Sequence, residues 1–156
     1  RGNIDTRINK LKRKELDAIV LSLAGIQMLN LEKEVKEIFT IEQMLPAIGQ
    51  GAIALQSKKD DQNILNILKK INDQNTYYCI QAERSLLEAI GGDCDTAIGG
   101  LAKLSNKKIS LKSELFSNDG SKKFTAEDTG YFKDAKEIGY QVGEQLLKKA
   151  GSDFTT

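Results

Sequence analysis

The 156-residue chain contains no histidine and no tryptophan, only two cysteines and a single proline. Each shortage excludes a class of chemistry. A zinc site needs about four ligands, drawn mainly from cysteine and histidine, and the chain cannot supply them. A Ser–His or Cys–His nucleophile pair is excluded within the chain, and no metal site is expected. Two cysteines with no secretory signal argue against a disulfide framework. Long apolar runs are also missing. The longest, Ala18 to Leu23, includes Ser22 and falls well short of the roughly 20 residues that a membrane-spanning helix requires. No signal peptide is seen, so the default expectation is a cytoplasmic location with no membrane partner. The net charge of +1 gives no general pull towards nucleic acid. The one basic cluster (Arg1, Arg7, Lys10, Lys12, Arg13, Lys14) has no interleaved aromatics, so nucleic acid is not an expected partner.

What remains is the composition of a soluble globular protein, 40% hydrophobic and 29% charged. Thr6 is placed to cap a short helix carrying Ile8 and Leu11. Ala18 to Leu21 reads as a short strand buried on both faces, and Ser22 as the cap of a helix running to Met28. This order suggests part of a parallel α/β sheet. A lone strand needs partners, and Arg1-Gly2-Asn3 reads as the interior of a folded unit, so a preceding segment is expected. The single proline, Pro46, and the Gly49-Gln50-Gly51 stretch mark a turn or a domain crossing. Ala52 to Gln56 then predicts another strand. Asp60 to Ile71 predicts a helix with Ile64, Leu65, Ile67, Leu68 and Ile71 inward.

The second half is patterned more strongly. A helix is predicted from Thr76, with Tyr78, Ala82, Leu86, Ala89 and Ile90 on one stripe and Gly91-Gly92 at its end. Three strands follow: Ala97 to Leu104, an alternating run of Ile109, Leu111, Ser113 and Leu115, and a third around Phe124 and Ala126. Asp119-Gly120 signals a hairpin between the last two. Asp134 and Glu137 have capping-box spacing before a final helix. Its buried face would be Ile138, Val142, Leu146 and Ala150, with Gly139 and Gly143 allowing close approach. This predicts a small α+β unit with a three-stranded antiparallel sheet.

Cys94 lies in Gly91-Gly92-Asp93-Cys94-Asp95-Thr96, a glycine-bounded loop directly after a helix. A thiolate there can hold a covalent adduct, but the flanking aspartates should raise its pKa. On residue types alone, an ordinary loop cysteine and an attachment site both remain open. Cys79, on a helix near an apolar stripe, reads as a packed thiol. Arg1 and Arg7 suit bidentate grip of carboxylates, while the lysines beside them read as a solvated face. The glycine stretches match neither a Walker A loop nor a dinucleotide-binding turn.

Several segments, taken in order, resemble the porphobilinogen deaminase (hydroxymethylbilane synthase) family along nearly the whole chain. They are Arg1-Gly2-Asn3-Ile4-Asp5-Thr6-Arg7, Asp17-Ala18-Ile19-Val20-Leu21 with Ala24-Gly25, and Leu45-Pro46-Ala47-Ile48-Gly49-Gln50-Gly51-Ala52. Ala82-Glu83-Arg84 with Leu87, and Gly91-Gly92-Asp93-Cys94 with Ile98, complete the set. The resemblance implies the C-terminal portion of a three-domain enzyme. A partial periplasmic-binding-protein-like α/β segment would be followed by the small α+β domain. Residues 1–45 would belong to the second domain, residues 46–71 to a hinge and return segment of the first, and residues 72–156 to the cofactor-carrying domain.

The resemblance further implies a dipyrromethane cofactor held covalently by Cys94, with Arg1, Arg7, Gln50 and Gly51 as further cofactor-binding positions. The substrate would be porphobilinogen, four molecules of which condense with loss of ammonia to give hydroxymethylbilane. The acid–base aspartate belongs to the family's N-terminal half, so no catalytic residue is assigned here, and the chain alone is expected to be inactive. The complete protein is expected to be a monomer in which that half is the partner. Two departures stand out. Ala97 replaces a frequent proline, and Met28 replaces a carboxylate-binding arginine. The alternative is a non-catalytic module of periplasmic-binding-like fold that binds an anionic small ligand.

Overall fold

The structure, a computed structural model, describes residues 2–93 and 95–151. Contacts divide the chain into two units, one reaching to Thr40 and one starting at Ile41. In the first unit, helix α1 (Ile4–Lys12) is capped by Asn3, whose side chain accepts from the Thr6 N–H at 3.0 Å and the Thr6 hydroxyl at 2.7 Å. Thr6, expected as the cap, instead lies inside the first turn and helps to hold the residue that caps. Helix α2 (Leu23–Met28) starts at Ser22 as expected, with the hydroxyl accepting from Gly25 N–H at 3.3 Å. Ile8 and Ile26 are buried. Gly25 admits the Ile4 side chain, whose Cδ1 would lie 2.6 Å from an added Cβ. Residues 18–21, expected as a strand, form none. No neighbouring strand among the described residues offers a ladder, and an unpaired strand is not stable.

The second unit begins with irregular chain and helix α3 (Gln62–Ile71), capped by the Asp61 carboxylate on Ile64 N–H at 3.1 Å. Two expectations fail here. Residues 52–56 form no strand. The apolar stripe of α3 is also not inward, because Ile64, Ile67 and Ile71 are 41%, 55% and 62% exposed. Helical spacing gathers these side chains on one face but cannot by itself provide a layer to cover them.

Helices α4 (Gln74–Ala89) and α5 (Ala135–Ala150) and strands β1 (Ile98–Ser105), β2 (Lys108–Phe116) and β3 (Lys123–Tyr131) form the α+β domain. The strands make an antiparallel meander in the order β1-β2-β3, with Gly100 opposite Ser113 and Ser113 opposite Ala126. Asn106 and Lys107, both at positive φ (50° and 61°), turn β1 into β2 in two residues. The Asp119-Gly120 hairpin occurs where expected, inside a longer loop. There the Asp119 carboxylate accepts from the Ser117 hydroxyl at 2.6 Å and from the Ser121 N–H at 3.0 Å.

Inward residues of the sheet meet Ala82, Leu86 and Ile90 of α4 and Ile138, Val142, Leu146 and Ala150 of α5 in one core. Ile109, Leu111 and Leu115 are fully buried, as the alternation on β2 predicts. Burial of each such side chain contributes about 1.5–3 kcal/mol. Gly139 and Gly143 lie where α5 crosses α4, and a Cβ on Gly143 would sit 2.6 Å from the Ala89 Cβ. The α4 cap is Asp73 rather than Thr76; its carboxylate accepts from Thr76 N–H at 2.6 Å. The expected capping box at α5 does not form. The chain enters through a 3-10 turn (Phe132–Asp134) that leaves Asp134 at ψ 19°, outside the extended conformation a capping side chain uses. Glu137 accepts from Gln141 Nε2 instead, at 2.9 Å.

Candidate functional site

Two of the sequence-predicted site residues, Cys94 and Arg1, lie outside the described residues. The residues flanking Cys94 show how its loop is anchored. Helix α4 ends on Ile90, and Gly91 takes φ +65°, with Gly91 N–H on Glu88 O (3.1 Å) and Gly92 N–H on Leu87 O (3.0 Å). This is a glycine-terminated helix end that satisfies the last carbonyls. Asp93 and Thr96 then face each other: Asp93 N–H donates to Thr96 Oγ1 at 2.9 Å, and Thr96 N–H to Asp93 O at 3.3 Å. The Asp93 carboxylate accepts from Asp95 N–H at 2.9 Å. Ile98 N–H on Thr96 O, at 2.8 Å, leads into β1. The described residues on either side of position 94 are therefore joined to the end of α4 and to the start of β1.

β1 is an edge strand, and successive outward amides along it each find a partner. Gly100 N–H donates to Pro46 O at 2.9 Å, and Ala47 forms an isolated antiparallel bridge with Gly99. Ala102 N–H donates to Glu83 Oε1 at 2.9 Å. Residues 45–48 thus cover the start of an edge that would otherwise be open to strand addition. Gly99 and Gly100 make that approach possible. A Cβ on Gly99 would lie 3.0 Å from the Leu45 Cβ, and one on Gly100 would lie 2.5 Å from Ile48 Cδ1.

Glu83 is the residue that sequence reasoning passed over. It is quoted in a family motif, yet it lies on the inward side of α4 and is only 4% exposed. Oε1 accepts from Ala102 N–H, and Oε2 accepts from Gly49 N–H at 2.8 Å. Burial pushes its pKa above the ordinary 4.5, and the two amides oppose that shift. Burial, with the Glu83 charge second, also pushes the Cys79 thiol up, consistent with a packed rather than reactive cysteine. A carboxylate in an apolar stripe is the local signal that marks Glu83.

Gly49, Gln50 and Gly51 form a turn in which Gln50 N–H donates to Ala47 O at 3.0 Å and Ala52 N–H to Gly49 O at 3.3 Å. Gly49 needs its φ of +73°. Gly51 has no such need, and among the described residues nothing beyond its chain neighbours lies within 4 Å of a Cβ built there. Gln50 is exposed. Gln50, Gly51 and the residues flanking Cys94 thus belong to the second unit. Arg7 belongs to the first, on α1, where its Nη2 donates to Val20 O at 3.0 Å. A groove of about 310 Å³ beside α4, lined by Tyr77, Arg84, Glu88 and Lys136 among others, includes none of the predicted site residues.

Residues 1–66 match the family model "Porphobilinogen deaminase, dipyromethane cofactor binding domain", and residues 77–148 match "Porphobilinogen deaminase, C-terminal domain". Curated relatives bear the name porphobilinogen deaminase. The chain is 35% identical over 152 residues to the one from Syntrophomonas wolfei, covering 97% of this chain and 50% of the relative. It is 37% identical over 156 residues to that of Nitrobacter hamburgensis, covering 100% and 49%. It is 39% identical over 154 residues to that of Coxiella burnetii, covering 99% and 50%. The chain spans about half the length of these relatives.

Proposed function

Because the chain belongs to the porphobilinogen deaminase family, we propose that it is the C-terminal portion of a hydroxymethylbilane synthase whose cofactor is tethered at Cys94. Two observations support the fit of a dipyrromethane there. The loop around position 94 is short and glycine-bounded, closed by the Asp93–Thr96 hydrogen bonds. In the same unit, Gly51 presents an open backbone face with Gln50 exposed beside it, where a flat ring can approach a chain that carries no Cβ. When bound, the cofactor supplies the terminal pyrrole carbon onto which porphobilinogen condenses with loss of ammonia, four times, before hydrolysis frees hydroxymethylbilane.

In this reading the Cys94 sulfur is a thioether tether. It needs no lowered pKa, so the neighbouring aspartates are no obstacle. Arg1 and Arg7 hold the acetate and propionate groups that every ring carries, by paired hydrogen bonds. Gln50 and Gly51 line the cofactor. The first unit completes a periplasmic-binding-protein-like domain, and the acid–base aspartate comes from the N-terminal half. The complete protein is a cytoplasmic monomer, and the 156-residue chain alone does not turn over porphobilinogen.

The observation that carries this reading is that both family models match in order, with the glycine-bounded Cys94 inside the second. Mass spectrometry of the Cys94 peptide from natively produced full-length protein is the test. A dipyrromethane adduct is expected, lost with activity in Cys94→Ala. Unmodified Cys94 in the full-length protein would overturn the assignment in favour of a non-catalytic module that binds an anionic ligand. Turnover by the 156-residue chain alone would refute its inactivity.

A further inference from the structure

The proposed attachment loop and the Gly49–Gln50–Gly51 turn are far apart in sequence, yet one side chain reaches both elements that fix their relation. We propose that Glu83 is a positioning residue whose carboxylate, shared between the Gly49 and Ala102 amides, locks the turn to the β1 edge and so to the Cys94 loop. The Cys94 loop leaves α4 at Ile90 and enters β1 at Ile98. Glu83 sits on α4, Ala102 on β1, and Gly49 opens the turn. A single carboxylate therefore ties both ends of the attachment loop to the turn that lines the cofactor. The inference rests on that reading of the site only for its consequence; the coupling itself is visible without it.

The choice of residue argues for this task over simple repair of an edge strand. One outward amide on β1 can be satisfied by a neutral group, as the Gly100 amide is by the Pro46 carbonyl. Glu83 is an ionisable group almost wholly removed from water, which is expensive unless both oxygens are engaged. The second oxygen is engaged by an amide 34 residues away, in the turn that follows the Ala47–Gly99 bridge. Gly49 at positive φ carries no side chain and holds its N–H towards the carboxylate. Two acceptors on one planar group fix a distance that a single acceptor leaves free.

Glutamine separates these roles. It has one acceptor, and its amide nitrogen must face one of the two N–H groups. Ala102 lies inside the β1–β2 ladder, whereas Gly49 lies beyond the last bridged residue, Ala47, so the Glu83→Gln side chain keeps its bond to Ala102 and releases Gly49. The experiment is amide hydrogen exchange followed by NMR on the folded chain and its Glu83→Gln variant. Exchange at Gly49 and Gln50 is expected to quicken about tenfold or more, while Ile109 and Leu111 in β2 keep their wild-type rates. Glu83→Asp, one methylene too short to span both amides, gives the same local pattern and serves if the glutamine variant does not fold. Unchanged exchange at Gly49 and Gln50 overturns the proposal. Equal acceleration at Ile109 and Leu111 also overturns it, because that would report loss of general stability. Neither readout depends on the cofactor. The Cys94 adduct mass judges the site assignment separately.

Discussion

Replacing Gly139 by alanine tests the helix crossing on which the α+β domain depends. A Cβ at this position points into the Ala82 carbonyl oxygen and lies 2.9 Å from the Ser85 Cβ. A backbone carbonyl inside a helix cannot rotate aside, so α5 must lift from α4 or α4 must shift. Overpacking of this kind costs about 1–3 kcal/mol, and the rigid obstacle places Gly139 at the upper end. Alanine returns about 1 kcal/mol through better helix propensity. The net loss is about 2 kcal/mol, which for a domain of this size lowers the unfolding midpoint by roughly 8 °C. Thermal unfolding followed by circular dichroism measures it. Gly51→Ala is the control: among the described residues nothing beyond its chain neighbours lies within 4 Å of an added Cβ, and its φ is not in the left-handed region, so its effect stays within about 0.5 kcal/mol. Ala82 precedes Glu83, so displacing α4 here should also quicken exchange at Gly49. A Gly139→Ala midpoint within about 2 °C of wild type would refute the packing argument.

Two further substitutions address single polar groups. Ser113 is fully buried and its hydroxyl donates to Gly99 O at 2.7 Å, so Ser113→Ala is expected to cost about 1–2 kcal/mol in urea unfolding, with an unchanged m-value. Asp119 is held to a pKa of about 2, from an ordinary 3.8, chiefly by the Ser117 hydroxyl and then by the Ser121 amide and hydroxyl. A depressed carboxylate contributes stability above its unfolded pKa and loses it as the pH falls through its folded one. Wild type should therefore lose stability between about pH 3.8 and about pH 2 more steeply than Asp119→Asn. Matching pH profiles for the two proteins would refute this role for the carboxylate.

The parts of the fold that were legible in the sequence are those where one face is dry and the period is intact. Ile109, Leu111, Ser113 and Leu115 alternate along β2 because every second side chain enters the core, and even the serine at that register is buried, bonded to a strand carbonyl. Gly139 and Gly143 could be read as a close helix crossing because glycines four apart share one face. Helix ends were less legible. Asn3 and Thr6, or Asp73 and Thr76, are both good capping residues within one turn, and the choice depends on where the chain turns into the helix. The α3 stripe and the runs at 18–21 and 52–56 show a different limit. Apolar content specifies a surface that favours cover, but the covering layer is a property of other residues, and the described residues supply none to α3.

The candidate site divides along the same line. The Gly91-Gly92 helix end and the turn at Gly49 were readable because glycine marks local backbone need, and both positive φ values are found at Gly49 and Gly91. Glu83 was not readable as a clamp, because its two partners are 19 and 34 residues away and neither contributes a side chain. Backbone amides are the same in every sequence, so recognition through them leaves no trace at the partner positions. The only trace is at the acceptor, as a carboxylate among Ala82, Leu86 and Ile90 that the apolar period does not explain. Gly51 is the converse case. Among the described residues neither φ nor a close neighbour calls for glycine there, so its place in the proposed cofactor site was legible only from the family resemblance and not from any local backbone need.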